Sequence, residues 1–444
     1  MARGGGGSRP LSVGRYFTGL MVFWFIGNAF WLSTVRQHGK LSPINSLAHE
    51  PHTLHRQPES SQAHDARVDP ASENTLDGFD FFRSLALELA ALPPKETVDR
   101  LRSEDPFEVR RFEEQLLQEE TQLGRILEPV ELEKLFPCPK QRITLPDIRN
   151  MTAAENYRQG TRGWFIFFQH LRKAGGTQFC SLASENIPRR RLPRYYCMPD
   201  YHWNDTVGSA GSLHHYNNEV IAQHMYQDNH AIAGNEWDSL DRRHHFNLPA
   251  VFVTSFRKPL DRALSQYRFE CVEDRGCTAK SVEQYWGRRR GLYNVYTTTF
   301  ADPDLIHRGA YRVLEEIYVG TSKHAATQRR RLMSDALDAL RRFHVVTSLE
   351  FLVYAEQIFQ QVLGFEKTSS VRKRVRPHIQ QAQRHDGQGE NKLGAAGIQK
   401  ASWNPETYLS KELYQRMSDT LALDEILNDM ARRMFLERLV CHQY

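Results

Sequence analysis

Hydrophobic and polar positions divide the chain into distinct stretches. From Tyr16 to Val35 no charged residue interrupts the run YFTGLMVFWFIGNAFWLSTV. At about 1.5 Å per residue such a run spans about 30 Å, the hydrocarbon thickness of a bilayer. It predicts one membrane-spanning helix over 16–35, behind a short tail, 1–15, that carries Arg3, Arg9 and Arg15. The basic tail favours a cytoplasmic N-terminus, hence a signal anchor. A cleaved signal peptide is the rival, but no convincing small-x-small cleavage site follows the run, which is also long for a signal h-region. Residues 36–80 are rich in Ser, Pro, His, Gln and Asp and poor in aromatics. Such a stretch buries too little apolar surface to offset ordering entropy, so a disordered stem is expected. Over 81–158 the pattern turns helical, with FFRSLALELAAL and FEVRRFEEQLLQEETQLGRIL separated by Pro93-Pro94. The second helix carries dense charge and reads as a solvated face of a neck, with a homo-oligomeric contact as the lesser alternative.

The body, 159–444, opens on WFIFFQHL (164–171), a continuous apolar run. Runs of this kind suit strands buried on both faces of a parallel sheet. RKAGGT (172–177) follows as a loop, and QFCSLASEN can start a helix. AVFVTS (250–255) reads as a second buried strand, followed by a turn through Pro259 and a helix. HVVTSLEFLVYAEQIFQQVLGFE (344–366) reads as a strand and an amphipathic helix. Phe351, Leu352, Ala355, Ile358, Phe359 and Val362 form that helix's buried stripe. Strands alternating with helices predict an α/β fold, a parallel β-sheet flanked by helices. LYQRMSDTLALDEILNDMARRMFLERL, near the C-terminus, reads as a packing helix.

Composition narrows the class. Of 444 residues, 40% are hydrophobic and 25% charged, an ordinary globular balance that excludes a wholly disordered or collagen-like chain. A mean hydropathy of -0.59 excludes a multi-span membrane protein. The formal charge of +5 is too small to argue for nucleic acid as partner. Asn150-Met151-Thr152 and Asn204-Asp205-Thr206 are glycosylation sequons. Tail, anchor, stem and body together describe a Golgi-type lumenal layout, single-pass and type II. In an oxidising lumen cysteines pair. Cys271 and Cys277, six residues apart, are expected to do so, while Cys138, Cys180, Cys197 and Cys441 stay unassigned. No C-x-x-C or H-E-x-x-H spacing supports a metal site.

Two strand ends carry candidate chemistry. A Gly175-Gly176-Thr177 turn opening a helix lets backbone N–H groups approach an anion, and Lys173 can add an ammonium. A tight βα turn with an incidental lysine is the plainer reading. The order is not that of a Walker A loop, in which the lysine follows the glycines. Arg257 stands at the end of the second strand, and Ser265 lies eight residues on. Two such ends, both beyond the carboxyl edge of a sheet, suit two phosphate groups of one nucleotide.

HLRKAGGT (170–177) resembles the 5′-phosphosulfate loop of the sulfotransferases, and FRKPLDRALSQY (256–267) resembles their 3′-phosphate motif. The spacing and order also match, and the resemblance is nearest to the membrane-bound carbohydrate sulfotransferases, the heparan sulfate 2-O- and 6-O-type branch. It departs at Lys258, Arg172 and Ala174, where the family usually has Asp, Pro and Thr. The resemblance implies a P-loop-like phosphosulfate-binding loop, 3′-phosphoadenosine 5′-phosphosulfate (PAPS) as donor, no metal, and a glycan acceptor. It implies Lys173 at the bridging oxygen, Gly175, Gly176 and Thr177 on the 5′-phosphate with Arg172 beside them, and Arg257 and Ser265 on the 3′-phosphate.

Sulfuryl transfer to a hydroxyl also needs a base. Related enzymes have a histidine ahead of the 3′-phosphate motif, and His224, after the apolar run EVIA, is the preferred candidate. Glu219 and Glu236 are its carboxylate rivals. The basic run 371–378 reads as a solvated loop, with anion binding as the alternative. Two other classes stay open. One is a nucleotide-sugar glycosyltransferase using Asp302-Pro303-Asp304; the other is a non-catalytic lumenal receptor.

Overall fold

The structure is a computed structural model that describes residues 78–138, 143, 165–193, 197, 229–236, 239–240, 250–273, 277–301, 311–372, 391–393, 399–401 and 405–441. The expected anchor at 16–35, the stem up to residue 77 and both sequons, Asn150 and Asn204, lie outside the described residues. No helix among the described residues is long and apolar enough to cross a membrane. Among the described residues four helices come first: α1 (Gly78–Ala91), α2 (Pro94–Glu104), α3 (Arg110–Leu123) and α4 (Pro129–Leu135). Residues 78–80, expected in the stem, therefore belong to a helix. Next come β1 (Phe165–Gln169), α5 (Gly176–Asn186), β2 (Ile232–Asn235), β3 (Ala250–Phe256) and α6 (Pro259–Tyr267). Beyond these are α7 (Val282–Arg288), α8 (Val295–Phe300), α9 (Tyr311–Val319), α10 (Lys323–Leu340) and β4 (Val345–Ser348). The chain closes with α11 (Glu356–Leu363), a short β5–β6 hairpin (Asn391–Leu393, Gln399–Ala401), α12 (Lys411–Thr420) and α13 (Ala422–Cys441).

The fold is α/β. Strands β1 to β4 form one all-parallel sheet in the order β2-β1-β3-β4. Their apolar runs are buried on both faces because helices cover both sides: all five residues of β1 are buried. The stripe predicted over 351–362 is buried as expected, but its first part, Leu349–Ala355, is a 3-10 helix, and α-helix begins only at Glu356.

Helix α13 packs on β4 and β3 and is buried on nearly every side. A helix buried all round is normally apolar, yet this one carries Asp424, Asp429, Arg432, Arg433, Glu437 and Arg438. Each is tied to a neighbouring element. Arg433 pairs with Glu437 at 2.6 Å and with Glu108 at 2.7 Å. Arg438 donates to the Phe343 carbonyl at 3.3 Å. Arg110 of α3 pairs with Asp429 at 3.0 Å and Glu425 at 3.2 Å, and Glu113 takes Arg432 at 2.7 Å. Glu120 accepts from Tyr354 Oη at 2.6 Å. The charged face of α3, expected to be solvated, thus turns inward in part, because α13 offers it buried partners.

All six cysteines pair: Cys271 with Cys277 as expected, and also Cys138 with Cys441 and Cys180 with Cys197.

Candidate functional site

Each strand of the sheet is apolar until its carboxyl end, where it turns polar. Gln169 and Asn235 face one another in register, and Asn235 Nδ2 donates to Gln169 Oε1 at 2.9 Å. Thr254 is in register on the other side, and its hydroxyl donates to the Gln169 carbonyl at 3.0 Å. Thr347 Oγ1 donates to the Thr254 carbonyl at 3.3 Å. This buried polar rung closes the apolar sheet and faces the loops beyond it. In the order β2-β1-β3-β4 the chain's progress reverses between β1 and β3, and ligands of open α/β sheets bind outside the strands at such a point.

The loop after β1 occupies one side of that point. Lys173 has φ 65° and Gly175 φ 101°, both left-handed, so the chain curls back before α5 begins at Gly176. A lysine in this region is uncommon and marks a constrained backbone. Gly176 is required for another reason: a Cβ there would stand 1.8 Å from His170 Nε2. The His170 ring therefore lies close against the turn. No side chain caps the N-terminus of α5, and Gly175 is its N-cap. The amides of its first turn and the helix dipole can face an anion. The ammonium of Lys173 rests 3.7 Å from the centroid of the Phe269 ring.

The turn after β3 occupies the other side. Pro259 starts α6, where its missing N–H costs nothing. Arg257, half-buried, directs Nη1 to the Lys173 carbonyl at 3.4 Å, and its own carbonyl accepts from Tyr296 Oη at 2.9 Å. Ser255 Oγ donates to the Ala174 carbonyl at 2.7 Å. Arg257, Lys173 and the glycine turn are thereby brought together, although 84 residues separate Arg257 from Lys173. Ser265, also buried, lies in the second turn of α6. Lys258, the departure from the family pattern, points elsewhere: its Nζ pairs with Glu113 of α3 at 2.8 Å. Burial opposes its charge, but Glu113 holds it above the ordinary ammonium range. The Lys258 amide donates to Glu350 Oε1 at 2.9 Å. Asp261, in the first turn of α6, is pushed up by burial, with Arg257 acting against the rise.

Carboxylates also reach the site. Glu236 follows β2, with Oε1 3.6 Å from Arg172 Nε and Oε2 3.8 Å from His170 Nδ1. Arg172 therefore stands at the site's β2 side beside an acid. Among the sequence candidates, Arg172, Lys173, Gly175, Gly176, Thr177 and Arg257 fall just beyond β1 and β3, while Ser265 lies in the second turn of α6. His224, Glu219, Asp302, Pro303, Asp304 and the basic run from 373 onward lie outside the described residues. Among the described residues no cluster of His, Cys, Asp or Glu is disposed to hold a metal. Ser255 and Phe269 escaped the sequence reading. Ser255 had a signal, the polar residue that ends an apolar run; Phe269 had none, since it acts across the fold. No family model, curated protein or solved structure matches this chain.

Proposed function

We propose that this chain is a PAPS-dependent sulfotransferase of the membrane-bound carbohydrate type, moving a sulfuryl group to a glycan hydroxyl or amine in the Golgi lumen, as a single-pass type II protein. One observation carries the reading: the two phosphate-type motifs adjoin at the switch point of a parallel sheet, joined by Ser255 to the Ala174 carbonyl at 2.7 Å and by Arg257 to the Lys173 carbonyl at 3.4 Å. Adjacent anion-ready ends suit a nucleotide with phosphates at both its 5′ and 3′ positions.

In this reading the α5 amides at Gly176 and Thr177 hold the 5′-phosphate, with Gly175 giving the backbone room to approach it and Arg172 flanking the turn. Arg257 and Ser265 hold the 3′-phosphate. An acceptor oxygen forms its bond to sulfur as the bond from sulfur to the phosphate oxygen breaks. That oxygen leaves with the electron pair, and Lys173 stabilises its charge. The acceptor proton passes to a base, for which His224 is the candidate and Glu236, beside Arg172, the carboxylate rival.

Calorimetry with adenosine 3′,5′-bisphosphate tests the donor site. Arg257→Ala should weaken binding by about 1.5–3 kcal/mol, the worth of a charged hydrogen bond. Lys173→Ala should collapse turnover with binding only partly reduced. His224→Ala should lower kcat by about 10²–10⁴-fold, as for a positioned base. Normal turnover in that variant would move the role to Glu236, read out by Glu236→Gln. A wild-type protein that neither binds the bisphosphate nor releases it from PAPS on any glycan would refute the reading.

A further inference from the structure

We infer that Phe269 is a positioning residue for Lys173: its ring is a built seat that holds the ammonium at the mouth of the glycine turn. The separation of 3.7 Å to the ring centroid is well inside the reach of about 6 Å for a cation–π contact. The seat is anchored on its own side. Phe269 stands in a π-helical stretch, Arg268–Glu273, directly after α6. Such wide turns are rare and re-aim side chains relative to the α-helix they interrupt. The next residue, Glu270, accepts from Tyr285 Oη at 2.9 Å and pairs with Arg289 Nη2 at 3.3 Å. It also accepts from Gln266. One residue further, Cys271 is bonded to Cys277. Three consecutive residues thus carry the ring, a clamp to α7 and a covalent closure.

The lysine is anchored too. Its backbone is held left-handed at φ 65° and its carbonyl receives Arg257. With both backbones fixed, the remaining freedom is the four-carbon stem, which by itself samples many rotamers. The aromatic face selects those that place the ammonium beside the turn. It presents negative π density without a formal charge, so it holds the cation and still releases it to an anion. That last use rests on the proposed donor site; the seat itself does not.

The test compares wild type with Phe269→Leu and Phe269→Tyr, and with trifluorophenylalanine at 269, which keeps the ring's shape and cancels its quadrupole. Lys173 acetylation is followed by mass spectrometry against exposed Lys280 as reference. Loss of the π face, by leucine or by fluorination, should raise relative labelling about fivefold, while Phe269→Tyr stays within about twofold of wild type. Equal labelling in all four proteins overturns the seat. If the leucine protein fails to fold, the fluorinated and tyrosine proteins decide the matter. With PAPS and an acceptor, the fluorinated enzyme should lose about tenfold in kcat with donor KM within about threefold. An unchanged kcat overturns the positioning role. A wild type that transfers no sulfuryl group defeats the proposed function instead, and the labelling arm still decides the seat.

Discussion

His344 shows how one side chain couples the core to pH. It precedes β4, its Nδ1 accepts from the Phe252 amide at 3.0 Å, and its own amide donates to the Phe252 carbonyl at 2.9 Å. Nδ1 can accept only while it carries no proton. Burial, helped by Arg438, lowers its pKa from 6.5 to about 4. The unfolded chain therefore takes up a proton near pH 6.5 that the folded chain refuses until about pH 4. Stability from this group is complete above pH 6.5 and is lost as pH falls toward 4, by about 3 kcal/mol at one pKa unit per 1.36 kcal/mol. Asp424 runs the other way. It is fully buried, and burial raises it to about 6 against the donated amides of Thr297 and Tyr296. Its contribution falls as pH rises from 3.8 to 6. Denaturant melts of His344→Asn and wild type across pH 4 to 7 isolate the histidine. Asparagine keeps an acceptor and cannot titrate, so the stability difference should shift by about 3 kcal/mol over that window.

At the scale of elements, the link between the loop after β3 and the N-terminal helices runs through one carboxylate. Glu113 of α3 receives Lys258 at 2.8 Å and Arg432 of α13 at 2.7 Å. Burial works against its charge, but Arg432 and Lys258 together hold it down at about 2. Its folded pKa is depressed, so its stabilisation is full above pH 4.5 and lost as pH falls from 4.5 toward 2. Glu113→Gln should cost about 1–3 kcal/mol at neutral pH, because Lys258 is partly exposed and Arg432 keeps Asp429 as a partner. The same variant should flatten the acid limb of a stability-against-pH curve between those values. A curve with an unaltered acid limb would show that another group governs acid unfolding. Since Lys258 directly follows Arg257, the proposed donor site predicts that the variant also weakens binding of adenosine 3′,5′-bisphosphate, which calorimetry reads separately from folding.

Across the whole molecule, the last helix is the axis on which the N-terminal helices and the sheet meet. Cys138 and Cys441 join segments 303 residues apart, fastening the end of α13 to the chain just beyond α4. Closing so long a loop restricts the unfolded ensemble strongly, and native disulfides of this kind are worth about 2–4 kcal/mol. The paired Cys138→Ser and Cys441→Ser variant should lose about that much in denaturant unfolding. Cys271→Ser with Cys277→Ser opens a far shorter loop and should cost less in global stability. A long-range pair that costs no more than the local one would count against its role in holding α13.

The sequence by itself determined the strands over 165–169 and 250–256, the glycine turn at 175–177, the Arg257 and Ser265 positions and the Cys271–Cys277 pair. Each is local: an unbroken apolar run can only be a buried element, a glycine pair permits a left-handed turn, and cysteines six residues apart meet by short loop closure. Only the tertiary structure decided what those pieces adjoin. The strand order that sets β1 beside β3, the inward turn of Arg110, Glu113 and Glu120, the Cys138–Cys441 and Cys180–Cys197 pairings and the seat of Lys173 on Phe269 all join residues distant in the chain. A charge pattern such as that of α3 reads as solvated until a buried partner is known, because the energy of a buried charge depends on its counter-charge and not on its own neighbours in sequence.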